Sequence, residues 1–242
     1  MCPISRHFTE EAGSTNDLAK TYAATHAGER AVFVAARQSA GRGRMGRTFL
    51  SPEGGLYMSL LCAPAVPAAE AVRLTVQAAV VTARVLEELT GHTVSIKWVN
   101  DLYMNGKKIA GILTEGALAA DGIRLAYAIV GIGINLAHTD FPRELAQLAT
   151  AVEDATGVRL TPEAVERRLT AAFFATDVTD PAIMEDYRRR SLLIGEQVIA
   201  YRGEERFSCL VQGIADDGAL LVLRDDGRTE ALSSGEVRVK KQ

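Results

Sequence analysis

Two tight turns, Asn105-Gly106 and Asp121-Gly122, do most to limit how this 242-residue chain can fold. Asn-Gly and Asp-Gly suit two-residue hairpins, whose central residues must reach φ > 0. Strand-like runs flank them, Leu102–Met104 and Lys108–Glu115 around the first and Arg124–Ile134 after the second. Strands joined by successive hairpins run antiparallel, which predicts an α+β fold with a mixed or antiparallel sheet rather than a doubly wound nucleotide-binding one. The last strand ends in Val130-Gly131-Ile132-Gly133-Ile134-Asn135. Its alternating glycines either let a helix pack closely or let a ligand lie flat on the sheet.

The same reasoning predicts strands at Ala31–Ala36, at Leu56–Leu61 behind Pro52 and Gly54-Gly55, and at Val94–Lys97. Between them, Glu70–Leu89 puts Val72, Val76, Ala79, Val80, Ala83 and Leu86 on one helical face and stops at Gly91, which reads as scaffold. An earlier helix starts after Ser14, with Ser14 as N-cap, Asp17 three residues on and Gly28 past the last turn. Helical segments near Leu145–Thr156, Pro162–Phe174 and Pro181–Arg190 are expected to cover one face of the sheet and carry no chemistry; Arg188-Arg189-Arg190 reads as a solvated face. From Gly195 to Val239 short apolar runs alternate with turns at Gly203, Asp217-Gly218 and Asp226-Gly227, predicting a small barrel or sandwich of four or five strands.

Composition excludes several classes. A net charge of −3 does not suit a general nucleic-acid binder. Cys2, Cys62 and Cys209 are odd in number and far apart, which favours a reducing compartment and argues against zinc. No run of 18 apolar residues and no signal sequence occurs, so a cytoplasmic, non-membrane protein is expected.

One stretch stands apart, Gln38–Phe49, which reads Q-S-A-G-R-G-R-M-G-R-T-F. Glycines let a backbone approach a ligand closely, and arginines offer planar charged forks for carboxylate and phosphate oxygens. It is neither a P-loop nor a dinucleotide fingerprint. With its like charges and no apolar pin, such a loop is expected to be mobile when empty and to order around an anion. A basic surface loop that brushes RNA is the plainer reading, disfavoured by the net charge and the lack of interleaved aromatics.

Four motifs follow in one order: S-T-N at 14–16, Q-S-A-G-R-G-R-M-G-R at 38–47, K-W-V-N-D-L at 97–102 with K-I-A-G-I-L at 108–113, and G-I-G-I-N at 131–135. Together, and with a small β domain after them, they resemble the biotin protein ligase family over essentially the whole chain. The resemblance implies a class II synthetase-like catalytic domain at 1–192, its sheet covered by helices, and an SH3-like β-barrel at 193–242. It implies ATP, Mg²⁺ and biotin as reactants and cofactor. It also implies that biotinyl-5′-AMP forms first and that a lysine of a biotin carboxyl carrier protein, such as the acetyl-CoA carboxylase subunit, then takes the biotin. The catalytic pattern begins within 15 residues, which implies the ligase-only type without a DNA-binding domain or a repressor function. Exposed sheet edges and family precedent leave room for a homodimer.

By the same resemblance, Ser14, Thr15, Asn16 and Gln38 match the biotin-contacting residues. Gly41, Arg42, Gly43, Arg44 and Arg47 belong to the loop that folds over biotin and its adenylate, and its closure would exclude water from that adenylate. Lys108 matches a lysine near the carboxylate and α-phosphate, with Arg44 and Asp101 as its catalytic companions and Asp101 suited to Mg²⁺. Lys97 and Asn100 are candidates for phosphate contact or site organisation, and Trp98 for the site wall or simple packing. Gly111, Gly133 and Asn135 fall beside the ligand, Asn135 near the adenine, although each could serve the sheet instead, and Asn-Asp commonly forms turns without a ligand. Val99 stands where the family usually has proline, and Met45 where it often has a third arginine. Lys240 falls near an arginine position of the family and is not counted in the site. Lipoate ligases, octanoyltransferases and a non-catalytic sensor remain the alternatives.

Overall fold

A computed structural model describes residues 3–63, 66–233 and, as backbone, 237–241. Cys2 and the Lys240 side chain lie outside the described residues. The chain runs β1 (Ile4–Ala12), α1 (Thr15–His26), β2 (Arg30–Gln38), β3 (Leu56–Cys62), α2 (Val72–Thr90), β4 (Ser95–Lys97), β5 (Asp101–Met104), β6 (Lys107–Leu118) and β7 (Leu125–Ile134). Then come α3 (Arg143–Ala146), α4 (Val152–Thr156), α5 (Pro162–Ala175), α6 (Pro181–Arg189) and strands β8 (Gln197–Arg202), β9 (Glu205–Ile214), β10 (Leu220–Arg224), β11 (Thr229–Leu232) and β12 (Val237–Lys241).

Seven strands form one sheet in the order β1-β2-β3-β7-β6-β5-β4. Asn105 and Gly106 both take positive φ, as a two-residue hairpin between β5 and β6 requires. The sheet is mixed because β1 pairs parallel with β2. Sequence reading missed β1: Ile4-Ser-Arg-His-Phe-Thr-Glu-Glu-Ala12 is largely polar, and most of this edge strand is exposed.

Alternation on the strands gives the sheet two apolar faces. Ala31, Phe33, Leu61 and Ile129 meet Ala19 and Ala23 of α1, while Val32, Leu60 and Val130 face the main core with α2 and α5. Helix α2 is buried nearly all round, beyond the single face that periodicity suggested, because α5 and α6 pack on its far side. Gln77, on that side, donates to the Phe173 and Thr176 carbonyls at 2.9 and 3.1 Å. The segment expected as Leu145–Thr156 is two short helices, interrupted where Ala149 bridges Lys108.

The arginine run is not a solvated face. Arg190, 10% exposed, donates to both Glu87 oxygens at 2.6 and 2.9 Å and to Asp186 at 3.0 Å. Arg188 reaches the Ile214 carbonyl at 2.7 Å and pairs with Asp216, fastening α6 to the C-terminal sheet. Only Arg189 stays largely exposed, at 75%. Burial pushes the Asp186 carboxyl up, but the Arg84 hydrogen bond and the charges of Arg190 and Arg84 outweigh it, leaving it below the ordinary 3.8. A depressed carboxyl stabilises the fold fully above the unfolded-chain value and loses that contribution as pH falls through the folded one. Arg190→Ala is therefore expected to cost about 3 kcal/mol in urea unfolding at pH 7. The deficit relative to the native chain should shrink as pH falls below about 4.

The C-terminal strands form an antiparallel sheet in the order β11-β10-β9-β8-β12, the small β unit expected. Trp98 Nε1 donates to the Gly218 carbonyl at 2.9 Å, so this sheet touches the K-W-V-N-D turn directly. Among the described residues no helix is long and apolar enough to cross a membrane.

Candidate active site

Helix α1 covers only part of its face of the sheet. Beyond its N-terminus that face continues along β7 past Ile129 to Gly131 and Gly133, where a cleft of about 590 Å³ opens, a size typical of small-molecule sites.

Strand register sets the cleft floor. Lys97, Asp101, Gly111, Gly133 and Tyr57 pair side by side across β4, β5, β6, β7 and β3, so they share one face. The two glycines leave a trough in the middle of this row, and Phe49 from the basic loop sits in part of it. A Cβ on Gly133 would lie 2.7 Å from Phe49 Cε1, and one on Gly111 3.4 Å from Cε2. Next along β7, a Cβ on Gly131 would overlap the Asn16 side chain. The alternating glycines thus serve both ends at once, a helix at Gly131 and an incoming side chain at Gly133.

The basic loop is hairpin-like and has an apolar pin. Gln38 bridges Ser51, Arg42 bridges Thr48, and Phe49 N–H donates to the Gly41 carbonyl at 2.9 Å. Phe49 is the pin that sequence reading overlooked. At the tip, Met45 adopts φ 57° and is 61% exposed, lining the cleft mouth. Gly41 is buried against Phe49 and Ser51 and does not line the cleft; its role is to let the strands close up.

One end of the cleft is lined by the uncharged polar side chains of Ser14, Thr15, Asn16 and Gln38, with the Glu115 carboxylate behind Asn16. Gln38 Oε1 accepts from the Thr15 N–H at 2.9 Å and sits 3.2 Å from its hydroxyl. The helix-capping bond expected from Ser14 therefore comes from Gln38, and the buried Ser14 lines the cleft instead. Ser59, fully buried, lies 2.8 Å from Thr15 Oγ1 and 2.6 Å from Asn16 Oδ1, while Asn16 donates to Glu115 at 2.6 Å. Ser59 and Glu115 lie in strand patterns with no motif around them, so nothing in the sequence singled them out.

The end at Lys108 and Asp101 is charged. Lys108 Nζ lies 2.6 Å from Asp101 Oδ1 and 5.9 Å from the Phe49 ring centre. Asp101 Oδ1 is buried and accepts no well-directed hydrogen bond from the described residues, Lys108 meeting it as a short ion pair. Arg44 donates to Asn100 Oδ1 at 3.3 Å, and Asn100 donates to the Ile112 carbonyl at 2.9 Å. Burial pulls the Arg44 guanidinium below its ordinary value, with the Asp101 charge pulling back. Tyr187 from α6 donates to the Val99 carbonyl at 2.9 Å, bracing the turn where the family usually has proline. Burial pushes the Tyr103 hydroxyl, on the same wall, up to about 12. Lys97, Trp98, Gly43 and Arg47 complete the expected lining, whereas Asn135 does not reach it. Asn135 is buried and donates to the Thr150 carbonyl at 3.2 Å, holding the chain that leads into α4.

Residues 11–135 match the model of the biotin/lipoate A/B protein ligase family, and residues 193–239 that of the biotin protein ligase C-terminal domain. The chain is a member of the biotin protein ligase family. Its fold superposes on the Aquifex aeolicus biotin protein ligase, solved with biotin and ATP, with a TM-score of 0.82 and 29% identity over 98% of this chain and 99% of that one. It is 35% identical over 223 residues to the bifunctional ligase/repressor BirA of Bacillus subtilis, covering 88% of this chain and 68% of that protein. A biotin–[acetyl-CoA-carboxylase] ligase of Paracoccus denitrificans is 32% identical over 214 residues, 84% of this chain and 88% of its own length.

In this ligase one stretch that looked inert reaches the cleft. Leu145 and Leu148, within a helical region read as structural cover, line its mouth beside Lys108 and are 39% and 65% exposed. Their only signal was apolar character at positions with nothing to bury against in sequence.

Proposed function

We propose that this ligase joins biotin to a lysine of a biotin carboxyl carrier protein through biotinyl-5′-AMP, the carrier being that of acetyl-CoA carboxylase or another biotin-dependent carboxylase. One observation carries the reading: a neutral polar pocket and a cluster of cations stand at opposite ends of a single trough. An elongated acid with a hydrogen-bonding head fits that polarity, with Thr15, Asn16 and Gln38 around the head and its carboxylate toward Lys108. A plain alkyl or dithiolane head would leave the polar end unanswered.

In the first step a carboxylate oxygen attacks the α-phosphorus, the bond to the β-phosphate oxygen breaks and pyrophosphate leaves. Two anions must meet, so Lys108 and Arg44 would lower the barrier by holding the charge that gathers on the phosphoryl oxygens. In the second step the carrier lysine's amine attacks the acyl carbon, the bond to AMP breaks and the amine loses a proton to solvent. Phe49, Met45 and Arg47 would shield the mixed anhydride from water.

The donor set fits Mg²⁺. Magnesium takes one or two carboxylates and fills its other positions with water and substrate phosphates, and Asp101 brings to the cleft a carboxylate with one oxygen that accepts no hydrogen bond from the described residues. Among the described residues no cluster of three His, Cys, Asp or Glu offers a fuller cage. When bound, the ion would neutralise phosphate charge. Domain limits of 1–192 and 193–242 belong to the same proposal.

Incubation with Mg-ATP and biotin, lipoate or octanoate, without carrier, tests it. Pyrophosphate release that depends on biotin, followed by transfer to a carrier domain, is the expected result. Release with lipoate alone would move the enzyme to the other branch of the family. No release with any acid, despite tight biotin binding, would make the protein a sensor.

A further inference from the structure

Arg42, of the loop expected to fold over the ligand, lines the cleft, and its guanidinium also meets protein carboxylates. Nη1 and Nη2 donate to the two oxygens of Asp17 at 2.7 and 2.6 Å, and Nη2 lies 3.8 Å from Glu115. Asp17 stands in the first turn of α1, directly after Thr15 and Asn16. Glu115 accepts from Asn16 at 2.6 Å. One arginine therefore ties the basic loop to both the helix and the strand that build the neutral end. All three loop arginines line the cleft, with Arg42 fixed to Asp17 and Arg44 drawn inward to Asn100.

We propose that Asp17 is a positioning residue for adenylate retention, acting through Arg42 to hold the basic loop closed against α1. The inference rests on the ligase reading for its kinetic side and on the observed geometry for the rest. Two-point fork geometry restricts Arg42 to one orientation, which a single contact would not do. The Arg42 hydrogen bond lowers the Asp17 carboxyl from its ordinary value, in keeping with a pair formed at neutral pH. The pair is half-exposed, at 37% and 54%, so salt screens it. Its contribution is therefore modest and salt-dependent, as suits a loop that must also open.

The test is Asp17→Asn, which keeps shape and removes charge, with Asp17→Glu as the conservative rescue. With preformed biotinyl-adenylate, Asp17→Asn is expected to release it about three- to tenfold faster at low salt, while the single-turnover rate of pyrophosphate release changes less than about twofold. Raising the salt should bring the native protein toward the variant and barely move the variant. Asp17→Glu should recover most of the retention. Amide hydrogen exchange at 41–48 in the ligand-free protein reads the same clamp without any substrate, and faster exchange in Asp17→Asn is expected. Unchanged exchange and unchanged retention would overturn the proposal, as would a loss that salt does not affect and that tracks a fall in Tm. If the native protein formed no adenylate, the ligase reading would fail while the exchange experiment still decided the clamp.

Discussion

Lys108→Ala is expected to slow biotin-dependent pyrophosphate release by about 10²–10³-fold, with biotin affinity changing far less. Lys108 stands beside Asp101, at the charged end of the trough, where an α-phosphate would meet the acid. Charge on the phosphoryl oxygens grows toward the transition state, so a fixed ammonium there acts on kcat more than on ground-state binding. Removal also leaves the Asp101 carboxylate, 25% exposed, without its 2.6 Å counter-charge where anions must gather. Burst kinetics with biotin titrated separately would tell the two effects apart. An unchanged adenylation rate would remove Lys108 from the chemistry.

Gly131→Ala is expected to weaken biotin binding by about 10–100-fold and to lower Tm by about 4–8 °C. A Cβ at Gly131 overlaps Asn16, and Asn16 has no easy alternative position. It is 4% exposed and held by Ser59 and Glu115. Pushing it away breaks the buried Asn16 bonds to Ser59 and Glu115 and disturbs Thr15, which shares Ser59 and contacts Gln38. Buried polar groups left unpaired cost about 1–3 kcal/mol each. Calorimetric titration with biotin and a thermal melt read the two effects. Gly46→Ala, with nothing within 4 Å of a Cβ but a positive φ, is a contrasting control that strains only the loop tip.

What sequence made legible follows from how local each signal is. Turn chemistry at Asn105-Gly106 is set by adjacent residues, so it predicted the β5–β6 hairpin directly. The cleft residues fell within motifs, and strand pairing brings Lys97, Asp101, Gly111 and Gly133 into one row from places far apart in the chain. Features that depend on distant partners were hidden. Arg190 looked solvated because Glu87, which takes both ends of its guanidinium, lies on α2, about a hundred residues away. Phe49 looked like the end of a loop, since its seat is two glycines on separate strands. Asn135 had the right motif, but its side chain turned to the Thr150 carbonyl, a choice made by the following segment. Strand β1 was missed because an exposed edge needs few apolar residues.

The bond from Trp98 to Gly218 changes what the Asp217-Gly218 turn can tolerate. Surface turns of this kind ordinarily accept peptide tags, permuted termini and added residues with little consequence. Here the Gly218 carbonyl is the acceptor for a buried indole, and a Cβ at Gly218 would sit 3.0 Å from Val72. An inserted epitope at this turn would reposition the residue that precedes Val99 and Asn100, whereas one at Asp226-Gly227, where a Cβ on Gly227 finds open space, would not. In a scan of tag positions, the two turns would look alike by hydrophilicity and part company by enzyme output.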